Sequence, residues 1–145
     1  MPSRKSEFEG VLDVGLIVIA HFENPARTYA SDFLKEVLEV KRRCIIPLST
    51  YLGAYIIMAR YLRIDRGKVT RALLTTLSID SPAFYGKIPK STAIEAIKTS
   101  EWLNISSWDG YLLELAKSLN IKKIYTVDEE LKRKAKEFGV INPIP

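Results

Sequence analysis

Three aspartates stand where apolar segments of the chain end or begin: Asp13 in Val11-Leu12-Asp13-Val14-Gly15, Asp109 in Ser106-Ser107-Trp108-Asp109, and Asp128 in Ile124-Tyr125-Thr126-Val127-Asp128. Carboxylates brought together from such distant positions repel one another. A hard divalent cation such as Mg2+ or Mn2+ relieves that repulsion and can act on a phosphate. Two of these acids, Asp109 and Asp128, also have a structural reading. Ser106 and Asp109 have the S-x-x-D form of a helix start, and Thr126 with Glu129 has the T-x-x-E form of a capping box. Asp13, between Leu12 and Val14, has no evident capping duty, and burying it unpaired would cost several kcal/mol (~2–7).

The rest of the composition narrows the chemistry. One cysteine, Cys44, and one histidine, His21, exclude cysteine- and histidine-rich zinc sites and dithiol redox chemistry within one copy. The seventeen Asp and Glu residues are then the main supply of catalytic groups. With 145 residues, 47% of them apolar, the chain is long enough to fold as one domain over residues 1–145 without disulfides or structural metal. The segment Met1 to Gly10 has no apolar run of the kind a secretory signal needs. The longest uncharged stretch, Cys44 to Ala59, is interrupted by Pro47 and falls short of the roughly 18 residues of a membrane span. The expectation is a soluble, cytoplasmic protein without a membrane partner. Its net charge of +5 favours a polyanionic partner.

Strands must position these acids. Phe8 to Asp13 reads as a short buried strand leading into an apolar turn, Leu16 to Ala20. Asn24-Pro25 reads as a helix start, followed by Ala30, Phe33, Leu34 and Val37 at i, i+3, i+4 and i+7. Cys44 to Ile46 is a second strand. Ser49 or Thr50 caps a helix carrying Leu52, Tyr55, Ile56, Ala59 and Leu62, and a further helix runs from about Arg66 to Leu77. Ile79 to Lys90 reads as a loop with a short extended piece. Thr92 to Trp102 is a helix with Ile94 and Ile97 inward, and Leu112 to Leu119 is another. A strand over Ile121 to Val127 then leads to a helix of Leu131, Ala135 and Phe138 that Gly139 closes, before an edge strand at Val140-Ile141. Alternating strands and helices predict a three-layer α/β/α sandwich around a mostly parallel central sheet, with ligands beyond the carboxyl ends of the strands.

Over most of its length this pattern resembles the PIN domain of VapC-type toxin nucleases and other ribonucleases. The resemblance rests on the strand ending in Asp13, the Cys44 to Leu62 strand and helix, Trp108-Asp109-Gly110-Tyr111-Leu112-Leu113-Glu114-Leu115-Ala116, and Thr126-Val127-Asp128-Glu129-Glu130-Leu131. It implies a Mg2+- or Mn2+-dependent endoribonuclease, of the kind that serves as the toxin of a toxin-antitoxin pair, with Asp13, Asp109 and Asp128 as catalytic and metal-holding acids. Glu129 is a candidate for a supporting role beside Asp128. The resemblance also implies a homodimer, for which the aromatic, uncharged stretch Tyr51 to Ala59 is the candidate surface, and an antitoxin protein as partner.

Two positions depart from the family pattern. Val14 and Gly15 follow Asp13 where Ser or Thr and then Asn are usual, and Gly53 falls at or near a position that usually carries Glu. No carboxylate occurs from Arg42 to Ile64. These departures keep open an alternative, a catalytically degenerate PIN domain that binds RNA or protein without cutting. A phosphoacceptor receiver domain also places acids at strand ends, but it pairs them after the first strand, where Asp13 is alone.

The basic residues Arg60, Arg63, Arg66, Lys68 and Arg71, opposed only by Asp65 and interleaved with Tyr61, are the candidate RNA-binding stretch. Lys132 to Lys136 suit a helix C-terminus. His21, Tyr51, Tyr55 and Tyr61 read foremost as packing or surface residues, and Trp102 and Trp108 as core.

Overall fold

A computed structural model describes residues 8–145; residues 1–7, which hold most of the segment weighed as a secretory signal, lie outside the described part. The strands are β1 (Gly10–Leu12), β2 (Cys44–Pro47), β3 (Phe84–Tyr85), β4 (Lys123–Tyr125) and β5 (Gly139–Ile141). They form one sheet in the order β3-β2-β1-β4-β5, and every pairing is parallel.

Seven α-helices connect and cover them among the described residues: α1 (Val14–Ala20), α2 (Arg27–Leu38), α3 (Leu48–Ile56), α4 (Arg66–Leu77), α5 (Lys90–Leu103), α6 (Ser107–Ser118) and α7 (Glu129–Lys134). A five-residue π-helical turn, Ile57–Tyr61, extends α3. None of these helices is long and apolar enough to cross a membrane.

Successive residues of each central strand enter different cores, because a strand's side chains alternate between the sheet's faces. Leu12, Cys44, Ile46 and Tyr125 pack with α1, α2, α3 and α4. Val11, Ile45, Ile124 and Val140 pack with α6 and α7. Both faces are thus covered, which is why these strands read in the sequence as unbroken apolar runs. The three-layer α/β/α sandwich expected from the sequence is the observed architecture.

Several local expectations are corrected. The turn at Leu16–Ala20 is part of α1, and Asp13 is its N-cap, accepting from Val14 N at 2.6 Å. A capping duty invisible in the sequence is therefore real. The α2 helix begins at Arg27 rather than at Pro25; Asn24 accepts from Ala26 N just before it. The α3 helix starts at Leu48, so neither Ser49 nor Thr50 is its cap. The last helix ends at Lys134, and Gly139 opens β5 rather than closing a helix. A Cβ at Gly139 would stand 2.1 Å from Lys122 O, so glycine permits that close backbone approach.

The largest correction concerns α5. Ile94, Ile97 and Trp102 are exposed, Trp102 at 68%, and its buried face is Thr92, Ala96 and Thr99. Here α5 crosses α6 closely: a Cβ on Gly110 would stand 2.2 Å from Ser100 Oγ and 2.5 Å from Ala96 O. Small residues set that seam, and the bulky ones are left outside.

Candidate active site

Parallel register brings the first and last thirds of the chain together at one edge of the sheet. β1 and β4 pair Leu12 with Tyr125, and Asp13 N donates to Tyr125 O at 2.9 Å. Asp13 and Thr126, the next residues out, are therefore neighbours: Thr126 Oγ1 donates to Asp13 Oδ2 at 2.6 Å. Asp13 is 3% exposed. Burial pushes its carboxyl above the usual range, opposed by the hydrogen bonds from Thr126 and Val14 and reinforced by the charge of Asp128.

The other two acids arrive on helix N-termini. Ser106 caps α6 by accepting from Asp109 N at 3.1 Å, which sets Asp109 in the first turn. Asp128 caps α7, its Oδ1 accepting from Glu130 N and Leu131 N at 3.0 and 3.1 Å. The Ser106 motif is thus the helix start it resembles; at the other, Asp128 and not Thr126 is the cap, and Glu129, the first residue of α7 with its carboxylate accepting from Asn142, forms no capping box. Capping does not remove these acids from the cleft.

Asp13, Asp109 and Asp128 all line one cleft of about 420 Å3 beyond the carboxyl edge of the sheet, as does Gly53 of α3. Burial raises Asp109 to about 6, helped by the negative charges of Asp13 and Asp128 and partly offset by a hydrogen bond with Ser106. The three acids are one electrostatic group. They form the all-oxygen donor set that hard divalent ions take, yet among the described residues no three His, Cys, Asp or Glu side chains are drawn together into a ready-made cage. An ion placed here would need water to complete its shell.

The remaining candidates separate. Glu129 accepts from Asn142 Nδ2 at 3.1 Å and does not line the cleft. Arg60, Arg63, Arg66, Lys68 and Arg71 are exposed; none lines the cleft, and Lys68 borders a different hollow beside His21. His21 is a packing residue, with Nδ1 on Ile17 O and Nε2 on Thr76 Oγ1 at 2.7 Å. Tyr51 is buried, and its hydroxyl meets the same Thr76 oxygen at 2.8 Å. Trp108, expected in the core, is 57% exposed and lines the cleft together with Tyr61, which is 76% exposed. Val14 also lines it, and a Cβ on Gly53 would meet Val14 Cγ2 at 3.2 Å, so the two departures from the family pattern face each other.

Neither a family model nor a curated protein matches the sequence. Solved structures do. PAE2754 from Pyrobaculum aerophilum superposes with a TM-score of 0.64 at 21% identity, over 94% of this chain and 91% of that one. VapC20 of Mycobacterium tuberculosis, described as a sarcin-ricin loop cleaving toxin, superposes with a TM-score of 0.65 at 13% identity, over 94% of this chain and 99% of that one. A toxin-antitoxin complex from Klebsiella pneumoniae gives a TM-score of 0.57 at 17% identity, covering 92% of this chain and 97% of the other. At such identities the shared property is architecture, and together with the sheet order and the three-layer arrangement it assigns the chain the PIN-domain fold of VapC-type proteins.

Proposed function

We propose that the protein is a PIN-type endoribonuclease dependent on Mg2+ or Mn2+, acting as the toxin of a toxin-antitoxin pair. One observation carries this reading: Asp13, Asp109 and Asp128, from three separate parts of the chain, line a single cleft at the carboxyl edge of a parallel sheet. The likeness to VapC20 and to a toxin-antitoxin complex supports it.

Asp13, Asp109 and Asp128 would hold the cation. When bound, it supplies a water of lowered pKa and offsets charge on the phosphate. Asp13 presents a fixed carboxylate: each oxygen accepts one hydrogen bond from the chain, which leaves a lone pair on each for a ligand. Asp128 keeps Oδ2 for the same use while Oδ1 serves the helix. Asp109, raised to about 6, can carry a proton on its carboxyl at mildly acidic pH and is ionised above it.

RNA, a second copy of the chain and an antitoxin are the partners of this reading. Arg60, Arg63, Arg66 and Arg71 are exposed cations for the RNA backbone. Leu52, Tyr55 and Ile56 are exposed on α3, within the stretch expected at a dimer interface.

A second reading, binding without cleavage, is favoured by one observation: at the position where the fourth acid is expected, Gly53 faces Val14. The deciding experiment measures thermal stability with and without Mn2+, alongside cleavage of an unstructured RNA, for wild type and Asp13→Asn. The nuclease reading expects Mn2+ to raise the melting temperature of wild type by mass action and Asp13→Asn to lose both that rise and the cleavage. Equal Mn2+ stabilisation of both proteins would place the ion elsewhere. RNA binding without cleavage would leave the second reading.

A further inference from the structure

Tyr61 and Trp108 come to the acid cleft from different elements, and each by a specific local device. Tyr61 closes the π-helical turn, in which Leu62 N bonds Ile57 O at 2.8 Å and Ile64 N bonds Met58 O at 2.9 Å. The wider turn ends with Tyr61, and not Arg60, on the cleft wall; turns of this kind are frequent at functional sites. Trp108 precedes Asp109 in the first turn of α6, so the cap at Ser106 that places the acid also places the ring beside it.

Apart from the acids and Ser49, Thr50 and Ser106, the cleft that these rings share is lined by apolar side chains, among them Val14, Ile56, Ile57, Leu112 and Val127. A groove meant only for a hydrated ion and a phosphate has no use for such a lining. Arg60 and Arg63 bracket Tyr61 in the sequence and are exposed. Aromatic faces with cations alongside are how single-stranded nucleic acid is held without regard to sequence, the rings taking bases and the cations taking phosphates. An apolar peptide would use the rings but gain nothing from the arginines.

We propose that Tyr61 and Trp108 form a base-stacking subsite of the acid cleft, which takes unstacked bases of a single-stranded RNA whose phosphates meet Arg60 and Arg63. This rests on the ribonuclease reading and adds to it the two side chains that hold the bases, since a base held in a duplex stack would offer them no free face.

The test compares two ligands of equal charge, a fluorescently labelled unstructured RNA of roughly eight nucleotides and an abasic ribose-phosphate strand of the same length, a size within the usual span of single-strand sites. Affinities for the full chain are read by anisotropy at low salt in chelator, so that no cleavage occurs. Wild type should prefer the RNA by about tenfold or more. Tyr61→Ala and Trp108→Ala should each remove most of that preference while leaving the abasic strand's affinity unchanged, and Tyr61→Phe and Trp108→Phe should keep it. Equal binding of the two ligands by wild type, or equal loss of both in the alanine variants, overturns the subsite; the rings would then be left for a peptide partner. Should wild type bind neither strand, the ribonuclease reading fails as well. Cleavage of RNA by a wild type that shows no base preference leaves that reading standing and removes this one alone.

Discussion

The Thr126 hydroxyl joins two acids of the cleft: Oγ1 donates to Asp13 Oδ2 at 2.6 Å and accepts from Asp128 N at 3.0 Å. This gives the T-x-D spacing a physical meaning. The threonine orients one carboxylate directly and, through the backbone, the start of the helix that carries the other. Removing its donor would leave buried Asp13 with only the Val14 amide. Thr126→Val is expected to cost about 1–3 kcal/mol in denaturant unfolding and to weaken Mn2+ binding. Thr126→Ser, which keeps the hydroxyl, should stay near wild type in both measurements. A valine variant of undiminished stability would mean that this bond adds nothing net.

Val14 and Gly53 pose a paired test. Because a Cβ at position 53 would lie 3.2 Å from Val14 Cγ2, Gly53→Glu alone has to displace the valine before its carboxylate can be placed. Coupled with Val14→Ser, that room is restored. The double variant should bind Mn2+ more tightly than wild type by calorimetry, and the gain should vanish when Asp13→Asn is added. Gly53→Glu alone should show a smaller gain, even though replacing a helical glycine favours the helix by up to ~1 kcal/mol. Unchanged metal affinity in the double variant would show that position 53 takes no part in cation binding.

His21 should make stability depend on pH. Burial and, less strongly, the charge of Arg27 hold it below its usual value, against the opposing hydrogen bond to Ile17 O. The unfolded chain therefore binds a proton more readily than the folded one. This contribution to stability is complete above the unfolded value of about 6.5 and is lost as pH falls from there through the lower folded value. In neutral form Nδ1 donates to Ile17 O and Nε2 accepts from Thr76. Melting temperature should fall between pH 7 and pH 5 more steeply for wild type than for His21→Gln, which cannot titrate there. Parallel profiles would exclude His21 as the source.

Val40 occupies a position built for glycine. It follows the C-cap of α2 with φ 61°, while Val40 N bonds Val37 O at 3.1 Å and Lys41 N bonds Glu36 O at 2.8 Å. That is the paired-bond helix ending whose left-handed residue is normally glycine, and a β-branched side chain strains it. Val40→Gly should stabilise the protein by about 1 kcal/mol, and Val40→Asn by less, in urea unfolding. Since Val40 is 47% exposed, little packing is lost. A destabilised glycine variant would show that the valine's contacts outweigh its backbone strain.

What the sequence by itself determined follows from properties that a local stretch carries. Strands buried on both faces, such as Cys44 to Ile46, had to be unbroken apolar runs, and the α2 stripe of Ala30, Phe33, Leu34 and Val37 had to repeat with the helical period. Asp13, Asp109 and Asp128 could be picked out because each interrupts or borders such a segment. Alternation of strands and helices then led to the parallel three-layer sheet and to the edge where a site belongs.

Only the tertiary structure decided which partner each side chain meets. Periodicity placed Ile94 and Ile97 inward, but the contact of Ala96 and Ser100 with Gly110 draws α5 and α6 so close that the small-residue face wins and Ile94, Ile97 and Trp102 turn outward. The bond from Thr126 to Asp13 spans 113 residues and depends on the β1–β4 register, which neither strand encodes alone. Likewise, the π turn that ends with Tyr61 on the cleft and the meeting of Gly53 with Val14 arise from how α1, α3 and the sheet edge pack. Burial and pairing are properties of two segments at once, and a single stretch of sequence specifies just one side of each.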